Sequence, residues 1–206
     1  MALEVYSLTD VLNAIPSEEE VNTLLRSFES LHTQDSSGSD DVESFLHNKA
    51  IMFEKMHLAR TYLVMSSYQS RPFIAGYFSI SNKPLIIPRK HFIKMAKSLQ
   101  KRLMGFGHRT EQSSYEIKGV LLGQLGKNYN EVANKAKACC GKDLLELAYE
   151  KIREVHRIVG GRVLYLECEP HVKILDFYKS NGFNQLEEFE SENDYCIMVK
   201  QMQHIA

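Results

Sequence analysis

The chain has 206 residues, 44% of them apolar and 25% charged, with a net charge of −1. That balance suits a globular fold with a sizeable core and excludes a protein held to nucleic acid by a global basic field. No run approaches the ~18 apolar residues of a membrane span. The first fifteen residues carry Glu4 and Asp10 and no basic start before an apolar run, so no signal peptide is expected.

In chain order, Pro16-Ser17-Glu18-Glu19-Glu20 reads as a capping-box start, with Ser17 as cap and Glu20 three residues on. The VNTLLRSF that follows suits a helix or a first strand. Residues 32–41, HTQDSSGSDD, read as a loop because Ser, Asp and Gly favour turns. DVESFLHNKAIMFEKM then places Val42, Phe45, Leu46, Ala50 and Phe53 at helical spacing. ARTYLVMSS (59–67) and FIAGYFSI (73–80) are β-rich, and SRPF between them marks the turn of an antiparallel hairpin.

Residues 90–109 form a basic segment with Lys90, Lys94, Lys97, Lys101, Arg102 and Arg109. Phe92, Met95, Ala96, Leu99 and Leu103 give it an apolar stripe at helical spacing. It reads either as a solvated helix face or as a wall that attracts an anionic substrate such as RNA. EIKGVLLGQLGK (116–127) has a continuous apolar centre, as a strand covered on both faces requires. After the polar connector NYNEVANKAKACC, residues 141–159 form an amphipathic helix. Leu144, Leu145, Ala148, Ile152, Val155 and Val159 make its stripe, and Gly160-Gly161 end it. The strand RVLYLEC follows, so a parallel pair with a right-handed crossover is expected. A short helix carrying Phe177-Tyr178 stops at Asn181-Gly182-Phe183, and DYCIMVKQM reads as a last strand.

Cys139, Cys140, Cys168 and Cys196 form no C-x-x-C pair and no zinc-like spacing. Reduced thiols in a cytoplasmic protein, with no metal, are the expectation.

A strand, a helix ending FY-x-x-x-GF and a further strand together resemble the C-terminal half of the GNAT superfamily of acyl-CoA-dependent N-acetyltransferases. Leu122-Gly123-Gln124-Leu125-Gly126-Lys127-Asn128 is similar to that family's fourth strand, and Gly141-Lys142-Asp143-Leu144-Leu145 to the glycine and helix that follow its phosphate loop. The opening 41–64 and the strand Gly76 to Ser81, ahead of the basic segment, resemble one branch that includes toxins acetylating aminoacyl-tRNA. The loop 136–141 departs from the pattern: it lacks the leading Gln or Arg, and Cys139 stands where the first glycine would, crowding the phosphate.

The resemblance implies a single α/β domain over 1–206 with the GNAT fold, a mixed sheet of six or seven strands flanked by helices. It leaves 1–20 as an N-terminal helical extension and 88–115 as a helical or loop insert. It implies acetyl-CoA as cofactor and direct transfer of an acetyl group to a primary amine: a small molecule, a protein or aminoacyl-tRNA. The alternative is a catalytically silent acyl-CoA-binding or regulatory module. Leu125, Gly126 and Lys127 would meet the pantetheine and the oxyanion. Lys137, Ala138, Cys139, Cys140, Gly141 and Lys142 would hold the phosphates at a helix N-terminus. Tyr178 would return a proton to the leaving thiolate, since a phenol of pKa ~10 can serve a thiol of pKa ~8.5; its other reading is a core aromatic. Glu167, Glu169 and His171 are candidate bases, with Glu169 alternatively capping the helix. Cys139 would be a reactive thiol if the helix end lowered its pKa. A homodimer through DYCIMVKQM is also expected from the resemblance.

Overall fold

The computed structural model describes residues 2–31, 38–104, 108–109, 114–190 and 194–205. In chain order it contains β1 (Glu4–Ser7), α1 (Leu8–Ala14), α2 (Glu18–Leu25), α3 (Gly38–Asn48), α4 (Ala50–Lys55), β2 (Arg60–Tyr68) and β3 (Arg71–Ser81). Next come β4 (Leu85–Pro88), α5 (Arg89–Phe92), α6 (Lys97–Met104), β5 (His108–Arg109), β6 (Ser114–Ile117) and β7 (Gly119–Lys127). The last elements are α7 (Glu131–Ala136), α8 (Gly141–Val159), β8 (Val163–Cys168), α9 (Val172–Ser180), β9 (Asn184–Glu190) and β10 (Cys196–Gln201).

Seven strands form a mixed sheet in the order β1-β2-β3-β7-β8-β10-β9, and β4-β6-β5 form a separate small sheet. The parallel register of β7 with β8 runs from Gly119↔Val163 to Leu121↔Tyr165, three pairs at the start of both strands. Met1–Ser81 with Gly123–Glu150 make one compact unit, and Asn82–Leu122 with Lys151–Ala206 make a second, where sequence suggests a single domain.

In the first unit, Ser17 Oγ accepts the Glu20 N–H at 3.3 Å, which starts α2 as the capping pattern predicts. β2 and β3 form the expected antiparallel hairpin. Its turn is Gln69-Ser70, both at positive φ (51° and 62°), so Arg71-Pro72-Phe73 already belong to β3. A two-residue turn of this hand matches the right-handed twist of the strands. Leu8, Val21, Leu25, Phe28, Leu63, Ile74 and Tyr77 are fully buried in the core, each worth about 1.5–3 kcal/mol of transfer free energy. Glu54 is buried too, but fully partnered. It accepts from Thr9 Oγ1, Arg60 Nη1 and the Thr61 N–H, and so ties α4 to α1 and β2.

In the second unit, Leu85, Ile87, Phe92, Met95, Leu103 and Ile117 pack with Val163, Tyr165, Ile197 and Val199. The β4, β5 and β9 strands in this unit have no counterpart in the sequence reading. Tyr115 of β6 stacks on Phe92 with centroids 4.0 Å apart.

Several expectations need correction. Residues 1–20 open on a strand, β1, paired with β2, before any helix. Gly38 to Asp41 are the first turn of α3 rather than loop, because Asp40 and Asp41 suit a helix N-terminus; residues 32–37 of that predicted loop lie outside the described ones. The basic segment is not one helix. α5 ends at Phe92, α6 begins at Lys97, and Ala96 between them is exposed. Residues 105–107 and 110–113 of that insert lie outside the described residues. The predicted strand 116–127 divides at Lys118 between β6 and β7. The connector after it contains α7, capped by Asn130 Oδ1 on the Ala133 N–H at 2.8 Å. β10 is hydrogen-bonded to β8 on one edge and, through Cys196, Met198 and Val199, to β9 on the other.

Candidate functional site

The predicted site residues fall on two stretches, one in each compact unit. In the first, β7 ends at Lys127, whose Nζ lies 4.9 Å from the centroid of the Tyr129 ring. Leu125 and Lys127 are half-buried and Gly126 is buried. A Cβ on Gly126 would come within 2.6 Å of Val42 Cγ1 and 2.9 Å of Phe28 Cζ. Close packing of the core therefore demands this glycine, rather than the approach of a ligand on that side.

Asn128, which sequence reasoning passed over, fixes the end of β7. It is fully buried. Its Oδ1 accepts from the Glu29 and Asn130 N–H groups at 3.1 and 2.9 Å, and its Nδ2 donates to the Ile74 carbonyl at 2.7 Å. A buried amide with its groups satisfied holds three backbone segments in one arrangement. The only local signal was its place after the Leu-Gly-Gln-Leu-Gly-Lys run; its Glu29 and Ile74 partners lie far away in sequence.

Lys137 ends α7 in the left-handed conformation, φ 48°. The Lys137 and Cys140 side chains are exposed and Ala138 is half-buried. Cys139 turns inward, 7% exposed, and its Sγ donates to the Ala75 carbonyl at 3.4 Å. The crowding expected from its side chain is thus absent. Burial pushes its thiol up to about 11, the opposite direction from the lowering a helix end would give.

The Cys140 N–H donates to Asp143 Oδ2 at 2.7 Å, and this hydrogen bond lowers the Asp143 carboxyl below its ordinary value. The first intrahelical bond of α8 is Leu144 N–H to the Cys140 carbonyl. The N–H groups of Gly141, Lys142 and Asp143 precede it, a donor set that suits a phosphate. Lys142 adds positive charge there and Asp143 opposes it. Lys135 is engaged with Glu131 Oε1 at 2.5 Å.

In the second stretch, α9 carries Tyr178, half-buried, with its ring 5.1 Å from that of Phe177 and 5.5 Å from that of Phe183. No residue of α9 is fully buried. The helix closes as the sequence pattern predicts. The Asn181 and Phe183 N–H groups both donate to the Tyr178 carbonyl at 3.1 Å, and Gly182 sits at φ 83°. Lys200 Nζ donates to the Asn181 carbonyl at 3.0 Å. These bonds fix the backbone that bears the phenol.

His171, not Glu169, is the N-cap of α9, and it caps through its carbonyl. Its Nδ1 is buried and has no hydrogen-bond partner among the described residues. Glu167 is exposed and Glu169 half-buried. Among the described residues no helix is long and apolar enough to cross a membrane.

No protein-family model and no curated protein matches the sequence. Solved structures do. A tyrosine-to-phenylalanine mutant of KacT aligns over 100% of this chain and 98% of its own, with TM-score 0.66 and 16% identity. AtaT complexed with acetyl-methionyl-tRNAfMet aligns over 99% and 97%, with TM-score 0.65 and 19% identity. A mutant AtaT toxin bound to acetyl-CoA and the C-terminus of the antitoxin AtaR aligns over 98% and 95%, with TM-score 0.60 and 16% identity. The seven-stranded mixed sheet and its helices are those of these GNAT-fold proteins, and on that likeness the chain has the GNAT fold.

Proposed function

We propose that this protein is an N-acetyltransferase that moves the acetyl group of acetyl-CoA directly to a primary amine. The observation that carries the reading is end-to-end likeness to structures solved with acetyl-CoA and with acetyl-methionyl-tRNA. It is supported by a helix N-terminus, at α8, whose first N–H groups lie ahead of any helical bond.

On this reading the N–H groups of Gly141 and Lys142, with the Lys137 and Lys142 ammonium groups, hold the pyrophosphate. Ala138, Cys139 and Cys140 contribute backbone, so the inward turn of Cys139 is compatible with binding. Leu125, Gly126 and Lys127 offer backbone to the pantetheine and an N–H to the oxyanion. When bound, acetyl-CoA supplies an activated acyl group and a thiolate leaving group. Tyr178 donates its phenolic proton to that sulfur as the C–S bond breaks. The attacking amine needs little help, because an α-amine of pKa ~8 is partly neutral near pH 7.

The α-amine of an aminoacyl-tRNA is the acceptor we favour. Residues 82–110 contain eight Lys and Arg and no Asp or Glu, a local field suited to phosphate backbone. Partnership with an antitoxin, known for AtaT from its complex with AtaR, belongs to the same reading.

Thermal unfolding with acetyl-CoA and with ATP tests the cofactor. A ligand at ~100 times its dissociation constant adds about 2.7 kcal/mol, a rise of roughly 5–10 °C for a domain of this size. A rise with acetyl-CoA but not ATP supports the reading. No rise with millimolar acetyl-CoA refutes it. Binding without transfer to any amine would leave the silent module in its place.

A further inference from the structure

Cys168 and Cys196 stand directly opposite each other on neighbouring antiparallel strands, Cys168 at the end of β8 and Cys196 at the start of β10. Directly opposed residues project from the same face of a sheet, with Cα atoms about 4.5 or 5.5 Å apart depending on the kind of pair. Both separations fall within the roughly 4.4–6.8 Å window of a disulfide. The ladder between these strands is unbroken from Cys196↔Cys168 to Gln201↔Val163, so the pair is held in register. No disulfide joins them in this structure.

We propose that Cys168 and Cys196 form a reversible cross-strand disulfide when the protein meets a hydroperoxide, a modification independent of acetyl transfer. The two sulfurs are not equivalent. Gln185 Nε2 donates to Cys196 Sγ at 3.2 Å, so a hydrogen-bond donor already faces that sulfur. Burial pushes the Cys168 thiol up to about 12, so it stays protonated. Cys196 is therefore the attacking sulfur and Cys168 the resolving one. The Cys196 sulfur gives up its proton as it attacks one peroxide oxygen; the O–O bond breaks, Cys196 becomes a sulfenic acid, and that proton joins the leaving hydroxide to make water. Cys168 then attacks the Cys196 sulfur; the hydroxyl departs as a second water, carrying the Cys168 proton. Two thiols are oxidised and one peroxide is reduced. Both side chains are under a tenth exposed, so the reaction is slow and selects a small oxidant.

The bond would lock the end of β8 to β10, three residues before His171 begins the helix that carries Tyr178. A link at this point restrains the strand end on which that helix is hung.

The test is peptide mapping. Native protein is treated with hydrogen peroxide, remaining thiols are alkylated under denaturing conditions, and the chain is cut with trypsin. Lys173 and Lys179 separate the two cysteines, so only a disulfide joins their peptides. The expected result is a linked Cys168–Cys196 peptide, removed by dithiothreitol and roughly tenfold or more enriched over the urea-unfolded chain. In Cys168→Ser, a dimedone adduct should collect on Cys196. Both cysteines recovered alkylated from peroxide-treated native protein, or linkage no greater than in urea, would overturn the proposal. The wild-type map decides this even if a serine variant misfolds.

Discussion

Tyr178 illustrates how a residue's setting narrows its role. The core reading asks for a covered ring, yet α9 has no fully buried residue and the ring is half-exposed beside Phe177 and Phe183. Its backbone, in contrast, is fixed by the bonds that close the helix. Tyr178→Phe keeps the ring and removes the proton. It should lower the rate of acetyl transfer by about 10²–10⁴-fold and leave acetyl-CoA affinity within twofold, as calorimetry can check. Loss of affinity equal to the loss of rate would mark a packing residue. Asp143 makes a prediction of its own. The Cys140 N–H lowers its folded pKa below the ordinary 3.8. Stability from this contact is therefore present above that value and is lost as pH falls through the folded pKa. The melting-temperature gap between wild type and Asp143→Ala should be widest near about pH 7 and close in strong acid. A gap that does not change with pH would mean the carboxylate is not what caps α8.

At the scale of elements, the parts legible in the sequence were those whose cause is local. The Ser17 cap, the stripe of α8 and the glycines that end it, and the FY-to-GF stop of α9 each announce themselves within a few residues. Even there, Val159 of the α8 stripe is exposed. What stayed hidden depends on distant partners. The strand β9 reads NQLEEFE, with Leu186 fully covered amid polar neighbours, and only pairing with β10 makes it a strand. α7 lay in a segment that reads as a polar connector, and Asn130 within it acts as a helix cap. In the site, the inward turn of Cys139 depends on Ala75 and the grip of Asn128 on Ile74, both more than fifty residues away. The insert gives this scale its prediction. Lys94, Lys97 and Lys101 are exposed and no acid lies within 82–110. Changing all three to Gln should weaken tRNA binding and reduce the slope of log affinity against log salt by about 2–3, roughly one for each lost phosphate contact. An unchanged slope in a filter-binding series would remove the insert from the RNA interface.

For the whole molecule, likeness over nearly the full length to acetyl-CoA-bound and tRNA-bound structures fixes the fold, and the reaction is what remains to be measured. The most direct measurement is transfer of labelled acetyl from acetyl-CoA to a panel of amines that includes aminoacyl-tRNAs, with Tyr178→Phe alongside. The account predicts acid-stable label on the α-amine of at least one aminoacyl-tRNA with wild type, and about a hundredfold less or lower with the variant. Label on no amine, from protein whose melting temperature acetyl-CoA raises, would contradict it.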